Sequence, residues 1–372
     1  MNIKSLLLGS AAALLAVSGA RAADAVVYAE PEPAEYVKIC DVYGAGYFYI
    51  PGTETCLRIG GYVRYDAAYG DQGSFTGDRT TDRLNGKSQD TWHKNARFTL
   101  NTWTAEETEL GTLRTFTETR MNFAGSNYNG AKNNIDIHFA WLQLGGLRIG
   151  LDESSYDTFT GYAGNVINDT LVPYGGFKTN LISYTFDAGN GFSAMVALEQ
   201  GNDDQYSAFV VDDNIIDSAM PHVVLGAKYT QGWGGVSGVV AYNSNYEEWA
   251  GKVRLDVKAT DQLSLWIMGG YGTDDNIDRN FYKPWGGNWA VWGGGTYQVN
   301  EKTALNLQVS YDDSSSLGVA ANVAYTVVPG FTVTAEVDYV NQSLANQAKY
   351  GSWTGATDKD AIGGIIRFQR SF

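Results

Sequence analysis

The segment from Trp249 to Lys258 combines an apolar and a charged surface on one short stretch of chain. Every second residue is apolar or glycine, and the positions between them hold Lys252, Arg254 and Asp256. A period of two is that of a β-strand, whose successive side chains point to opposite faces. The pattern recurs from about Leu57 to the last residue, with too few other elements to cover so many apolar faces. A closed barrel in lipid resolves this, with the apolar face outward and the charged face lining a wet interior.

The pattern predicts an all-β protein, a transmembrane antiparallel β-barrel of about sixteen strands. Each segment has about the length needed to cross a bilayer when tilted. An even number of strands puts both termini on the side of the short turns, which is the periplasm, and leaves the longer connections outside. The predicted strands are 57–68, 95–103, 112–123, 135–144, 147–152, 179–187, 192–199, 222–230, 236–242, 249–258, 263–272, 289–299, 304–312, 317–327, 331–341 and 360–372.

The first 22 residues have the features of a signal peptide. Lys4 supplies a positive start, an apolar stretch follows, and Ala20-Arg21-Ala22 is a small-x-small cleavage site. No later stretch reaches about 18 consecutive apolar residues, which argues against a helical membrane protein. We therefore expect three parts: a signal peptide at 1–22, a periplasmic N-terminal segment at 23–56, and the barrel at 57–372.

The charge balance limits the partners of the chain. Its formal net charge is -15, so nucleic acid is a poor candidate partner, whereas a wall exposed to cations fits. Cys40 and Cys56, the two cysteines, lie close together in a secreted chain. The oxidising compartment favours a disulfide between them over two free thiols or a metal site.

Four stretches carry a family resemblance. They are MNIKSLLLGSAAALLAVSGARAADA at the start, CDVYGAGYFYIPGTETCLRIGGYVR from Cys40 to Arg64, WGGNWAVWGG inside the chain, and IIRFQRSF at its end. Together they strongly resemble the outer-membrane porins of alphaproteobacteria, including the Brucella type. The resemblance implies a homotrimer of sixteen-stranded barrels in contact with lipid and lipopolysaccharide. It also implies passive diffusion of ions and small hydrophilic solutes, with no cofactor, in the outer membrane of a Gram-negative cell. Phe372 resembles the terminal signal read by the barrel-assembly machinery.

The resemblance also implies that the third outer loop, here 152–178, folds into the barrel and narrows it; a solvated surface loop is the alternative. An acidic loop facing basic residues would create a transverse field at the narrowest point. Each arginine has an alternative role, because it could pair with a neighbouring acid such as Asp66 or Glu118. The acids predominate, so we expect a weak cation preference. The candidate residues are Asp152, Glu153, Asp157 and Asp169 on the loop, and Arg58, Arg64, Arg97, Arg114, Arg120 and Arg254 on the wall.

Other functions have less support in the sequence. Only three histidines are present, and no arrangement of catalytic or metal-ligating residues stands out. The acidic groups of the outer connections are interpreted as solvated negative faces, and the binding of divalent cations is the alternative. A general diffusion channel is therefore the first hypothesis, a substrate-specific channel the second, and an outer-membrane enzyme or adhesin the third. The acidic groups are Asp203-Asp204, Asp212-Asp213, and Asp274-Asp275 with Asp278.

Overall fold

The computed structural model describes residues 38–70, 78–124, 134–202, 214–276, 281–342 and 359–372. The predicted signal peptide, residues 23–37 of the N-terminal segment, and most of the outer acidic groups (Asp203-Asp204, Asp212-Asp213 and Asp278) lie outside this description. None of the helices in the described ranges has the length and apolar character needed to span a membrane.

Sixteen of the described strands, β2 and β5 to β19, form one closed sheet in which every neighbouring pair is antiparallel. The ring closes where β19 pairs with β2, for example Arg367 with Asp66. The strands are β1 (Phe48–Tyr49), β2 (Cys56–Gly70), β3 (Asp78–Thr81), β4 (Ser88–Thr91), β5 (His93–Thr108), β6 (Gly111–Phe123), β7 (Asn134–Leu144), β8 (Leu147–Glu153), β9 (Lys178–Asp187), β10 (Phe192–Glu199), β11 (His222–Gln231), β12 (Gly234–Asn243), β13 (Glu248–Lys258), β14 (Leu263–Gly272), β15 (Trp289–Asn300), β16 (Thr303–Asp312), β17 (Leu317–Val328), β18 (Phe331–Asn341) and β19 (Asp360–Ser371).

The predicted sixteen-stranded barrel is confirmed, and most strand ends agree within two residues. β5 is the main exception because it continues to Thr108, beyond the predicted end at Trp103. The apolar alternation stops there, yet the backbone still pairs with β6 as far as Thr108 opposite Gly111. Backbone pairing needs no apolar side chain, so the pattern could not show this extension. The small hairpin of β3 and β4, in the connection between the first two predicted strands, was also missed.

The two faces of the wall differ as the alternation requires. On β13, Trp249 and Val253 are exposed, whereas Lys252 and Arg254 are buried. We call the side that carries Lys252 and Arg254, and its continuation around the ring, the polar face. In a closed sheet the registers of all strand pairs fix which residues share this face.

A disulfide between Cys40 and Cys56 confirms the prediction for the two cysteines. It joins the start of β2 to a short segment with a 3-10 turn at Asp41–Tyr43, and the Cys40 amide donates to the Tyr47 carbonyl at 3.0 Å. Closing a loop of this size stabilises the fold by about 3 kcal/mol in the chain-entropy model.

Candidate functional site

The connection between β8 and β9, residues 154–177, begins with a short helix, α1 (Ser155–Thr158). The Ser154 hydroxyl caps this helix by accepting from the Tyr156 amide at 3.1 Å. Glu199 on β10 binds the same end, because its carboxylate accepts from the Ser155 amide and the Ser154 hydroxyl, each at 2.7 Å. A carboxylate satisfies amides that a helix start leaves free. The wall therefore holds the beginning of the connection.

A buried ion pair makes the second attachment. The Lys252 Nζ atom lies 2.7 Å from Asp157 Oδ1, and both side chains are 0% exposed. Lys252 also donates to the Tyr174 carbonyl at 2.8 Å, and the Phe177 amide donates to Asp157 at 3.0 Å. Burial raises the pKa of Asp157, while Lys252 and the Phe177 amide oppose that shift. One lysine on β13 thus joins both ends of the connection to the wall.

The middle of the connection is held by two acids on β18. The amides of Ile167 and Asn168 donate to Glu336 at 2.5 and 2.7 Å, and the Asn168 side chain donates to Asp338 at 2.6 Å. Further hydrogen bonds run to other strands: Trp292 to the Val172 carbonyl, Gln308 to the Asp169 carbonyl, Asn165 to Thr296, and Arg254 to the Tyr162 carbonyl. All these wall residues lie on the polar face, on β13, β15, β16 and β18.

Aromatic residues fill the space between the connection and the wall. Trp292 and Trp285 are 0% exposed, and their ring centroids lie 5.4 Å apart. A Cβ atom on Gly270 would come within 2.9 Å of Trp285, and one on Gly294 within 3.1 Å of Trp266. The glycine-rich sequence around Trp292 therefore serves close packing. Phe281 and Tyr282, from the outer connection between β14 and β15, join the buried cluster that contains Tyr156 of α1.

The four acids predicted on the loop have different surroundings. Asp152 forms a 2.6 Å ion pair with Arg148, and Glu153 next to it accepts from the Tyr162 hydroxyl. Asp157 is fully buried in the pair with Lys252. Asp169 accepts from the Tyr174 hydroxyl at 2.6 Å, and desolvation raises its pKa to about 7. The prediction that the loop begins at Asp152 is wrong by two residues: Asp152 and Glu153 still pair with β9 as the last two residues of β8, while the other two acids belong to the attachments.

The predicted arginines fall into three groups. Arg64, Arg97 and Arg120 lie on the adjacent strands β2, β5 and β6, and Arg64 stands directly opposite Arg97. Arg58 lies nearer the short turns, 3.8 Å from the ring centre of Trp103, and Arg114 is exposed near the start of β6.

Arg254 is separate from the other arginines. It lies across the ring on β13, where its guanidinium binds Asp256 and the Tyr162 carbonyl.

Several residues of the polar face were absent from the predicted set. Arg367 on β19 binds Asp66 at 2.7 Å, next to the group of Arg64. The sequence alone predicts that Arg367 lies on the polar face, because the apolar residues Ile366 and Phe368 on either side belong to the opposite face. Lys252 was likewise in phase with Arg254. No pattern in the sequence indicated that Glu336 accepts hydrogen bonds from the amides of residues 167 and 168.

Two cavities adjoin the connection near the short turns. One of about 750 Å³ is lined in part by Arg148, Glu153 and Lys228. The other, of about 660 Å³, is lined in part by Arg254 and Trp266. Among the described residues, no group of three or more His, Cys, Asp or Glu is placed to hold a metal ion.

Known proteins are similar over the whole chain. The Porin subfamily matches residues 24–365. The porin Omp2b of Brucella suis biovar 1 and that of Brucella melitensis biotype 1 are each 54% identical over 380 residues, covering 100% of both chains.

Solved structures share the fold at low identity. The anion-selective porin from Comamonas acidovorans has a TM-score of 0.56 at 16% identity, covering 86% of this chain and 100% of that one. OmpF of Salmonella typhi, in complex with daunomycin, has a TM-score of 0.53 at 13% identity, covering 86% and 98%. Fold and sequence relationship agree: the chain belongs to the porin family of the Brucella type, and it forms a passive channel across the outer membrane as a multi-pass β-barrel.

Proposed function

We propose that residues 154–177 lie inside the barrel and narrow the channel through which ions and small hydrophilic solutes diffuse. The hydrogen bonds of this connection to the polar face of β10, β13, β15, β16 and β18 carry the proposal. These strands span much of the ring, and a segment of this length reaches all of them only from the concave side of a closed sheet. Polar groups lining a wet interior also avoid the cost of facing lipid.

Thiol labelling tests this position. Thr158 is exposed at the end of α1, and Val253 is exposed on the apolar face. A charged thiol reagent added in water should reduce the current through the Thr158→Cys channel and leave the Val253→Cys channel unchanged. Equal insensitivity of both variants, with the Thr158→Cys thiol shown to have reacted, would contradict the proposal.

The charges favour a weak cation preference. Asp152 and Glu153 lie next to each other at the end of β8, just before the connection, and the chain as a whole is strongly acidic. Carboxylates beside a narrow aqueous path raise the local cation concentration. The reversal potential of the refolded channel in a potassium chloride gradient tests this preference, and a value that reports anion preference would contradict it.

The homotrimer would bury a patch of hydroxyl groups on the outward face of β5 and β6. Thr102 and Thr117 share a hydrogen bond of 2.6 Å, as do Thr104 and Thr115 at 2.5 Å. The hydroxyl groups satisfy each other's hydrogen bonds on this outward face. The outward face of β13, in contrast, carries the apolar side chains of Trp249 and Val253. A Thr117→Trp variant should form less trimer in semi-native electrophoresis, and Val253→Trp should not. Equal trimer content in the two variants would place the subunit contact elsewhere.

The C-terminal residue is proposed as the assembly signal. The Phe372 amide and carbonyl both bond to Gly61 at 3.1 Å, and its ring stacks on Phe98 on the outward face. Phe372 thereby completes the seam between β19 and β2. Deleting it should lower the yield of barrel in the outer membrane, where lipid and lipopolysaccharide surround it, without preventing refolding in detergent.

A further inference from the structure

Two arginines of the polar face have surroundings unlike those of their neighbours. Arg64 and Arg97 lie within ion-pair distance of no carboxylate in the part of the chain that the structure describes. The other arginines with polar partners on this face bind acids: Arg120 binds Glu118, Arg148 binds Asp152, Arg254 binds Asp256, and Arg367 binds Asp66.

The partners of this pair are neutral amides. Arg64 Nε donates to Gln369 Oε1 at 2.9 Å, and Arg97 Nε donates to Asn122 Oδ1 at 2.7 Å. An amide oxygen orients a guanidinium group but does not neutralise it. The terminal nitrogens of both arginines have no hydrogen-bond acceptor among the described residues. The Tyr62 ring packs against the Arg64 guanidinium group, with its centre 4.6 Å from the guanidinium carbon.

Placing the two arginines side by side carries a cost. Arg64 and Arg97 are directly opposite each other on β2 and β5, and like charges in that relation destabilise a sheet. In the described part of the chain, the neighbouring charged groups on the same face do not offset the two positive charges, because each of these groups already forms an ion pair. Those groups are Arg120 with Glu118, Arg367 with Asp66, and Lys178 with Asp136.

We propose that Arg64 and Arg97 form a binding site for small oxyanions that spread their charge over two or more oxygen atoms, such as phosphate and carboxylates. Two planar guanidinium groups with free terminal nitrogens match this chemistry, because each can give two parallel hydrogen bonds to one anion. The proposal rests on the proposed function only in that the polar face lines the channel. It predicts a local anion site within a channel that prefers cations overall.

Single-channel current with added inorganic phosphate tests the site. In potassium chloride at constant ionic strength, phosphate should reduce the current of the native channel in a saturable way. The R64Q/R97Q variant should need at least about tenfold more phosphate for the same reduction, as expected when one or two charge-assisted hydrogen bonds are lost. R58Q/R114Q is the matched control: it removes the same charge from the same face nearer the short turns, and should keep the native response.

A second variant separates hydrogen-bond geometry from charge. R64K/R97K keeps both charges but lacks the planar fork, so its phosphate response should be clearly weaker than that of the native channel. The proposal is overturned if the native current shows no saturable phosphate effect, or if R64Q/R97Q and R58Q/R114Q respond alike. The labelling of Thr158→Cys and the reversal potential test the proposed function separately, so the two can fail independently.

Discussion

The polar face has two halves that use the same kind of side chains differently. On β10 to β18, charged residues such as Lys252 and Glu336 are buried because residues 154–177 bind them. On β2, β5 and β6, the partners of Arg64, Arg97 and Arg120 among the described residues are all on the wall. The first half therefore holds a folded segment in place, and we propose that the second half meets solutes. Whether a charged side chain of the polar face has a structural role depends on whether residues 154–177 pack against it.

The largest expected effect follows from breaking the buried pair on the first half. A Lys252→Met variant leaves Asp157 buried without its cationic partner, and only the Phe177 amide still donates to it, which should cost about 3–5 kcal/mol. The free energy of unfolding in guanidinium and the proteolysis of residues 154–177 measure this loss. Arg120→Met is the comparison in the second half: the Arg120 side chain is 25% exposed, and its loss from Glu118 should cost clearly less than the loss of Lys252, because this pair is not fully buried. Similar losses in both variants would mean that the two halves do not differ in this way.

Removing a single acceptor from the first half should have a smaller effect. Glu336→Ala deprives the amides of Ile167 and Asn168 of their acceptor, and each unsatisfied amide costs about 1–3 kcal/mol unless water reaches it. We expect faster cleavage near residue 167 and noisier single-channel current. Glu336→Gln, which keeps one acceptor oxygen, should lie between this variant and the native protein. Identical cleavage rates in all three proteins would rule out this attachment.

Neutralising Asp152 and Glu153 together should change the ion selectivity of the channel. Asp152→Asn with Glu153→Gln should shift the reversal potential toward anions, because it removes two carboxylates and leaves Arg148 without its ion-pair partner. The interaction of an ion with one charge is about 1 kcal/mol at 4 Å in water. That energy corresponds to a several-fold change in the permeability ratio. Asp261→Asn, at a fully exposed turn with 98% side-chain exposure, is the control and should leave the ratio unchanged.

A dependence on pH, confined to one segment, is expected in the outer connection between β14 and β15. Burial lowers the pKa of Lys283 to about 8, below the ordinary value of about 10.4. Between these values the unfolded segment holds more protons than the folded one, so folding stability should rise with pH from about 8 to 10.4. Hydrogen exchange of residues 281–288 measures this slope, which Lys283→Met should remove.

The sequence was sufficient for the barrel because a period of two specifies both strand and face. Lys252, Arg254 and Arg367 occupy the side that the alternation assigns them. The alternation does not say which part of that side is covered, since the contacts of Asn168 with β18 join residues far apart in the chain. Asp157 shows the consequence: its type and position suggested a charge facing the channel, while its side chain is buried against Lys252.

Disulfide trapping tests the difference between the halves most directly. Asn165 on the connection donates to Thr296 on β15 at 2.9 Å, and neither residue is buried. The N165C/T296C variant should cross-link on oxidation with little change in single-channel current, because the bond holds the connection where it already lies. The N165C/N122C variant, directed at the second half, should stay uncross-linked. Cross-linking to residue 122 instead, or loss of current on cross-linking to residue 296, would contradict the account.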